Sequence, residues 1–513
     1  MGAGAKVLLL AAAFWFGKNA FAQAIPDDIY KNLPFKMDKV QQPTFANNSA
    51  SIADFGAKAD GVTLNTDAFS KTIDAIAKNG GGKVVVPQGL WLTGPIVLQS
   101  NINLHLEQGA IILFSNKFDL YPVVATSFEG LDTYRCQSPI SGKDLTNIAI
   151  TGNGIIDGSG EAWRPVKKDK LTPSQWKELV ASGGILNEKK DTWWPSESAL
   201  RGSLNVVDQN VPAVKTKEEF EAIKDYLRPV MVSLVSCKNI LLEGVTLQNS
   251  PAWNIHPLMC ENLIVNNLIV RNPWYSQNGD GIDIESCKNI VVYNSSFDVG
   301  DDAICIKSGK NEEGRKRGIP TENLIVDKCV VYHGHGGFVV GSEMSGGVKN
   351  IKVANCTFLG TDVGLRFKST RGRGGIVENI WIENINMMDI PTEPLLFDLF
   401  YGGKSAIEAR EDEGKSASAT AVKVDETTPQ FRNIFIKNIV CKGAERAMFF
   451  NGLPEMNVQN VTVENVIMTA KRGVQISEST NVELKNIAIT VEEGQPITVR
   501  NAKNVTLDGK EIK

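Results

Sequence analysis

Three aspartates stand beside glycines in two short motifs of this 513-residue chain. Asp280 lies in "NGDGIDI", whereas Asp301 and Asp302 lie in "GDDAICIKSG". Carboxylates that crowd together raise one another's proton affinity, so one stays protonated while another is ionised. An acid and a base of this kind can act on a glycosidic bond. We interpret the glycines as clearing Cβ atoms from a groove, so that a ligand can approach the backbone.

Asp301 and Asp302 are consecutive, and in a regular strand they would point to opposite faces. An isolated buried carboxylate is too costly to expect in a protein interior. We therefore expect the chain to bend at 301–302 and to expose both side chains. Asp283, which stands between Ile282 and Ile284, is interpreted as structural.

An imidazole and two cations follow these acids along the chain. His335 stands between glycines in "GHGG", and Arg366 and Lys368 alternate with apolar residues in "GLRFKS". This alternation predicts that both cations lie on one face of a strand. Two cations on one face can hold the carboxylate of an acidic sugar. The structural alternatives are a stacked histidine and a solvated basic edge.

A repeated phrase provides the elements that must position these residues. An asparagine precedes three to five mostly β-branched residues, as in "KNILLEGVTL" and "ENLIVNNLIV", at positions 147, 239, 262, 289, 323, 350, 379, 433, 460, 481 and 504. Most intervals are 21–29 residues, which predicts a solenoid of short strands whose coils stack about 4.8 Å apart. Each asparagine fits a tight bend, where it can bond its own or a neighbouring backbone.

Stacking places the acids on neighbouring coils, because Asp280 and Asp301 are 21 residues apart. His256 lies 24 residues before Asp280, one coil earlier, and is predicted to contact substrate. We expect all of these side chains to share one open groove.

Three stretches interrupt the repeat. An amphipathic helix is predicted over 66–78, with Asn65 or Thr66 capping its start, and it can cover the open end of the coil stack. Residues 165–227 are charged and contain tryptophan, which predicts a loop excursion on one face. Residues 402–428 form a second, polar insertion.

The N-terminal segment predicts export. Residues 1–22 have the lysine, apolar run and small-residue cleavage site of a secretory signal, followed by a lead segment at 23–52 and a catalytic β-helix at 53–513. We expect a periplasmic or secreted protein that binds no membrane.

The formal net charge is −4 for the whole chain and −6 without the signal, which argues against nucleic acid as a partner. The eight cysteines are predicted to be mostly free and buried.

With these motifs in hand, the sequence resembles the polygalacturonases of glycoside hydrolase family 28. The motifs "NGDGIDI", "GDDAICIKSG", "GHGG" and "RFK" occur in the family's order, with looser matches from residue 53 onward. The resemblance implies an all-β, right-handed parallel β-helix that hydrolyses α-1,4-galacturonosyl bonds of pectin with inversion. It implies no metal and no other cofactor. Gly279 replaces the usual threonine, and Phe367 replaces the usual isoleucine, so the sugars that fit can differ.

The resemblance also implies a role for each matching residue. Asp301 would protonate the leaving oxygen, while Asp280 and Asp302 would activate the attacking water. Asn278 and His335 would support the acid and the sugar near the cut. The galacturonate carboxylate would be bound by Arg366 and Lys368.

Several functions remain open at this point. "YHGHGGFVVGSEMSGG" and "GLRFKSTRGRGG" are similar to the bacterial branch, where exo-acting members are common, and an insertion such as 165–227 can wall off a groove. We predict exo attack on a pectic polysaccharide or an oligogalacturonide. The alternatives are a galacturonosidase acting on rhamnogalacturonan or another decorated pectin, a calcium-dependent pectate lyase, and a non-catalytic carbohydrate-binding β-helix. The oligomeric state stays open.

Overall fold

The computed structural model describes residues 24–208, 210–402 and 420–513. The predicted signal at 1–22 and most of the predicted insertion at 402–428 lie outside these residues. Within them, no helix is long and apolar enough to cross a membrane.

The chain winds into a parallel β-helix, as predicted, in which each coil contributes one strand to each of three sheets. Sheet 1 contains Ile96–Val97, Ile140–Lys143, Val232–Val235, Ile255–Leu258, Ile282–Glu285, Asp302–Lys307, Gly336–Val340, Leu365–Lys368, Leu395–Asp398 and Arg446–Asn451. Sheet 2 contains Ser49–Ser51, Gly82–Val86, Ile102–Leu106, Thr146–Gly152, Lys238–Glu243, Glu261–Asn266, Lys288–Tyr293, Thr321–Asp327 and Val348–Ala354.

Sheet 3 contains Gly89–Thr93, Ala110–Phe114, Ile155–Asp157, Thr246–Gln248, Ile269–Arg271, Ser296–Asp298, Val330–His333 and Thr357–Leu359. In the last coils, long strands run through the corners between sheets, at Ile376–Ile390, Gln430–Ala444, Val458–Ser477 and Ser479–Arg500. The chain ends with Lys503–Leu507 and Lys510–Glu511, which pair antiparallel.

Inward-facing apolar side chains stack in register and form one continuous core. In sheet 1, Ile282 pairs with Ile304, which pairs with Phe338, which pairs with Leu365. All four are fully buried. Because the pleat has a period of two, this register turns the residues between them outward, onto the face that carries the candidate site.

The asparagines stack at the corners, and the predicted bends are confirmed. Asn239, Asn262 and Asn289 all have φ between 54° and 58°, the left-handed region that asparagine tolerates. Their partners differ from the prediction. Nδ2 of Asn262 donates to Oδ1 of Asn239 at 3.0 Å, and Asn289 donates to Asn262 at 3.3 Å, so the side chains bond from coil to coil.

All eight cysteines are free and buried, as predicted. In the stack, the Sγ of Cys260 donates to the carbonyl of Leu234 at 3.2 Å, and the Sγ of Cys287 donates to that of Pro257 at 3.3 Å. These thiols therefore behave as small buried side chains that link neighbouring coils.

Helix α1 (Thr66–Lys78) has the predicted bounds and buries Phe69, Ile73 and Ile76 against the first coils. The predicted side-chain cap by Asn65 is wrong. Nδ2 of Asn65 donates instead to the carbonyls of Lys58, Thr63 and Leu92.

Residues 158–231 leave the coil between two strands, at Ile155–Asp157 and Val232–Val235. They carry helices α2 (Pro173–Ala181), α3 (Glu197–Ser203) and α4 (Lys217–Glu221), and the short strands Val166–Lys167, Ile185–Leu186, Thr192–Trp194, Val206–Asp208 and Val211–Pro212. This excursion packs on the hairpin of Val123–Phe128 and Leu131–Cys136, through Trp163, Phe220 and Tyr226. A fifth helix, α5 (Asn311–Arg317), follows a strand of sheet 1.

Candidate active site

A cavity of about 700 Å³ lies outside sheet 1, next to the excursion. Seven of the eight predicted site residues line it: Asn278, Asp280, Asp301, Asp302, His335, Arg366 and Lys368. One carboxylate oxygen from each of the three aspartates lies within 4.8 Å of the others. The geometric expectation that successive coils bring these groups together is therefore confirmed.

The bend at 301–302 occurs, but the expected exposure of both acids is wrong for Asp302. Asp302 begins a strand and is 1% exposed. Its carboxylate lies on the side of Cys305 and Arg366, which are outward-facing positions in register. Burial is possible because Asp302 is paired with cations, so the cost of an isolated charge does not arise.

Two cations hold the Asp302 carboxylate. Nη1 of Arg366 lies 3.2 Å from Oδ1, and Nζ of Lys368 lies 2.6 Å from Oδ2. Burial opposes ionisation, yet the charges of Lys368 and Arg366 lower the pKa of Asp302 below its usual range. The two cations thus favour the ionised form of Asp302 at the wall of the cavity.

Asp301 pairs with His335 instead. Nδ1 of His335 lies 3.2 Å from Oδ1 of Asp301, and Nε2 lies 3.9 Å from Oδ2 of Asp362. Although burial opposes the shift, the charge and hydrogen bond of His335 lower the pKa of Asp301. The pKa of His335 is raised by Asp301 in turn, against its own burial. The pair therefore favours a protonated imidazole at His335 and an ionised carboxylate at Asp301.

Asp280 has the opposite electrostatics. It is 3% exposed, and in the described part of the chain its Oδ1 has no hydrogen-bond partner. Burial, together with the charges of Asp283 and Asp301, raises the pKa of Asp280 well above its usual range. Two acids predicted to act alike therefore differ, because their surroundings shift the pKa of Asp280 upward and that of Asp302 downward.

The glycines beside the acids serve the chain and not a ligand, contrary to our interpretation. A Cβ on Gly279 or on Gly300 would collide with Ser276, and one on Gly334 would collide with the carbonyl of Asp301. These glycines allow the loop that ends at Asp280 to pack against the next coil.

Asn278 lies at the rim with φ of 53°, and its Oδ1 accepts a hydrogen bond of 2.8 Å from Nη2 of the buried Arg228.

His256 is outside the set of residues that line the cavity. It is 1% exposed, and its Nε2 lies 2.9 Å from Oε2 of Glu285, which also binds Arg317 at 2.6 Å. Its predicted contact with substrate is therefore not supported by this geometry.

Sequence reasoning missed several residues that line the cavity, among them Asp362, Tyr401, Lys170 and Trp274. The repeat carried a signal for Asp362, because it lies 27 residues after His335, one coil further on. Tyr401 covers both cations, with its ring centroid 4.8 Å from Nζ of Lys368. Tyr401 lies in a loop outside the asparagine repeat, so the spacing of the repeat could not predict its place.

The three aspartates offer oxygens at a spacing that can also hold a cation. The charge of Asp302 is already compensated by Arg366 and Lys368, so a metal bound to Asp302 would have to displace these partners. This donor set is poorly suited to a divalent ion, which requires ionised oxygen ligands.

The outer cavity of this parallel β-helix contains carboxylates and cations, which are the groups that an enzyme acting on an acidic carbohydrate needs. Residues 173–430 match the model of glycosyl hydrolases family 28. The chain therefore belongs to family 28 of the glycosyl hydrolases.

Individual relatives agree with this assignment. The chain is 27% identical to an exo-poly-α-D-galacturonosidase of Dickeya chrysanthemi, over 90% of this chain and 74% of that protein. It is 31% identical to a Vitis vinifera protein named "Probable polygalacturonase", of which it spans only 61%. The structure is similar to that of a hyperthermoactive exopolygalacturonase from Thermotoga maritima, with a TM-score of 0.70 and 32% identity, over 88% of this chain and 94% of that one.

Proposed function

We propose that the protein hydrolyses α-1,4-galacturonosyl bonds of pectic polysaccharide or oligogalacturonide, releasing galacturonate from chain ends. The observation that carries this proposal is one cavity that contains the Asp301–His335 pair and the Asp302 carboxylate with its two cations. A proton donor, an ionised base and positive charge are the groups that cleavage of an acidic glycoside needs.

In this mechanism Asp301 donates the proton to the leaving oxygen. Its side chain is 21% exposed in the cavity, and that of Asp302 is only 2% exposed. The proton comes from the pair with His335, which returns it to Asp301 as the substrate excludes water and its carboxylate raises the proton affinity of Asp301.

Asp302 then acts as the base that orients and deprotonates the attacking water. Arg366 and Lys368 keep it ionised and fix its position. Asp280 supports the water through the hydrogen bond that its neutral carboxyl can donate. The two cations also attract the substrate carboxylate, with Tyr401 packed over them.

Inversion is the proposed stereochemistry, as the family resemblance implies. Carboxyl groups of inverting glycosidases are generally about 6.5–9.5 Å apart, and the acids here are closer. Retention would require Asp302 to attack the sugar. Each oxygen of Asp302 is held by a cation and its side chain is only 2% exposed, so direct attack on the sugar is disfavoured relative to attack by a small water molecule.

Exo attack is favoured by the excursion, because Lys167, Asp169, Lys170 and Asn210 add a wall to the cavity. Exo-acting relatives of Dickeya and Thermotoga support the same choice. The test is product analysis on trigalacturonate and longer chains. Monomer from the outset supports exo attack, and mixed oligomers contradict it.

The same assay separates the remaining candidates. Release of galacturonate from rhamnogalacturonan alone would favour the decorated polymer as substrate. Products that absorb in the ultraviolet would indicate a lyase. We also propose export to the periplasm or medium, on the basis of residues 1–22, which N-terminal sequencing of the exported protein would test.

A further inference from the structure

Two residues from outside the coils meet in the cavity wall. Lys170 ends the short helix Lys168–Lys170 of the excursion, and Trp274 lies in the loop between Ile269–Arg271 and Ile282–Glu285. Nζ of Lys170 lies 5.6 Å from the centroid of the Trp274 ring. Both residues line the cavity, and Trp274 is 58% exposed. Trp274 therefore does not serve to fill the hydrophobic core.

Lys170 differs from the two predicted cations in its ion pairing. Arg366 and Lys368 are each paired with Asp302. Among the residues that the structure describes, Lys170 makes no salt bridge. It lies near enough to Asp362 for its charge to oppose the rise that burial causes in the pKa of Asp362. Lys170 is thus a cation close to Asp362, which lies next to the Asp301–His335 pair.

The pair matches the chemistry of a uronate. A galacturonate residue has an apolar C–H face, which packs on an indole ring, and a carboxylate, which pairs with an ammonium group. We propose that Trp274 packs on one galacturonate of the substrate while Lys170 binds its C6 carboxylate. The excursion would then supply specificity for acidic sugar. This inference rests on the proposed function and assigns a recognition role within the same cavity.

The decisive variant is Lys170→Met, with Lys168→Met as the matched control. Lys168 is exposed on the same short helix and lies outside the cavity lining. On trigalacturonate, we expect Lys170→Met to raise KM about tenfold or more with kcat little changed, because a charge-assisted contact made equally in ground and transition states is lost. Lys168→Met should have the wild-type KM, and Lys170→Arg should restore part of the loss.

Inhibitors separate charge recognition from general binding. Galacturonate and galactose differ in the carboxylate, so the ratio of their inhibition constants measures its recognition. We expect this ratio to fall toward one in Lys170→Met and to stay unchanged in Lys168→Met. Trp274→Ala should weaken both sugars, whereas Trp274→Phe should retain most of the binding.

A wild-type KM and a wild-type inhibition ratio in Lys170→Met would overturn the inference. Failure of the proposed function would look different, because the wild-type protein itself would release no galacturonate from trigalacturonate. In that case calorimetric titration of galacturonate into wild type and Lys170→Met still decides. Equal affinities would reject the site, and weaker binding to the variant would support it.

Discussion

The ammonium of Lys368 lies 2.6 Å from Oδ2 of Asp302, and the two side chains are 7% and 2% exposed. Arg366 binds the other carboxylate oxygen, so Asp302 is ionised at any pH near neutrality. We therefore propose different roles for the three acids, with Asp302 as the base, Asp301 as the proton donor paired with His335, and Asp280 as a carboxyl whose pKa is raised.

The first prediction concerns the proton donor. Asp301→Asn cannot give a proton to the leaving oxygen, so we expect kcat to fall by about 10²–10⁴-fold, the usual contribution of general acid catalysis. The far-ultraviolet circular dichroism spectrum should not change. Asp298→Asn is the control, because Asp298 pairs with His333 at 2.8 Å and lies outside the cavity lining. Substantial turnover in Asp301→Asn would remove the assignment.

The second prediction concerns the buried ion pair. Lys368→Met leaves Asp302 with one cation, and breaking a buried pair typically costs about 3–5 kcal/mol of unfolding free energy. The double variant Asp302→Asn/Lys368→Met leaves one buried cation without the Asp302 carboxylate, whereas Asp302→Asn leaves two, so the double variant should be more stable than Asp302→Asn alone. Urea denaturation of wild type, Asp302→Asn, Lys368→Met and the double variant gives the coupling energy. Additive losses would show that the two groups act independently.

The third prediction follows from the raised pKa of His335. A raised folded-state pKa stabilises the protein fully below the unfolded value of about 6.5, and this contribution is lost as pH rises through the folded value. Wild type should therefore lose stability from near pH 6.5 upward, relative to His335→Gln. Unfolding free energies measured between pH 5 and pH 9 test this. If the unfolding free energies of the two proteins had the same pH dependence, this result would be inconsistent with the Asp301–His335 pair.

The fourth prediction separates packing from substrate contact at His256. His256→Ala removes the partner of the buried Glu285, so the melting temperature should fall while KM for trigalacturonate stays the same. The opposite pattern, a raised KM with an unchanged melting temperature, would restore the substrate role predicted from the sequence.

The fifth prediction concerns metals. Because Asp302 is already neutralised by Arg366 and Lys368, hydrolysis should proceed unchanged in chelator after dialysis. Loss of activity in chelator, with recovery on adding calcium, would show that the aspartates hold an ion.

Much of this fold was predictable because it is periodic. The interval between asparagines predicted the length of one coil. Stacking of such coils predicted that Asp280, Asp301, His335 and Arg366 lie on one face. The bounds of helix α1 were predicted from its apolar spacing and its expected ends, although Asn65 makes no side-chain cap. Burial was not predictable for Asp302, because its cations come from a strand 64 residues later, and only the register of the coils brings them together.

The parts that sequence reasoning missed come from outside the repeat. Lys170 and Tyr401 enter the cavity from loops whose paths no periodicity specifies. Protonation was equally hidden, since Asp280 and Asp302 are the same residue type and differ only in their neighbours.

The most direct test of the account is proton nuclear magnetic resonance during hydrolysis of trigalacturonate by the wild-type protein. An acid at Asp301 and a water activated by Asp302 predict that free galacturonate appears from the first time points. Because the α-linkage is inverted, the newly formed reducing end should be the β-anomer, with the α-anomer arising later by mutarotation. Initial release of the α-anomer, or an unsaturated product, would contradict the mechanism.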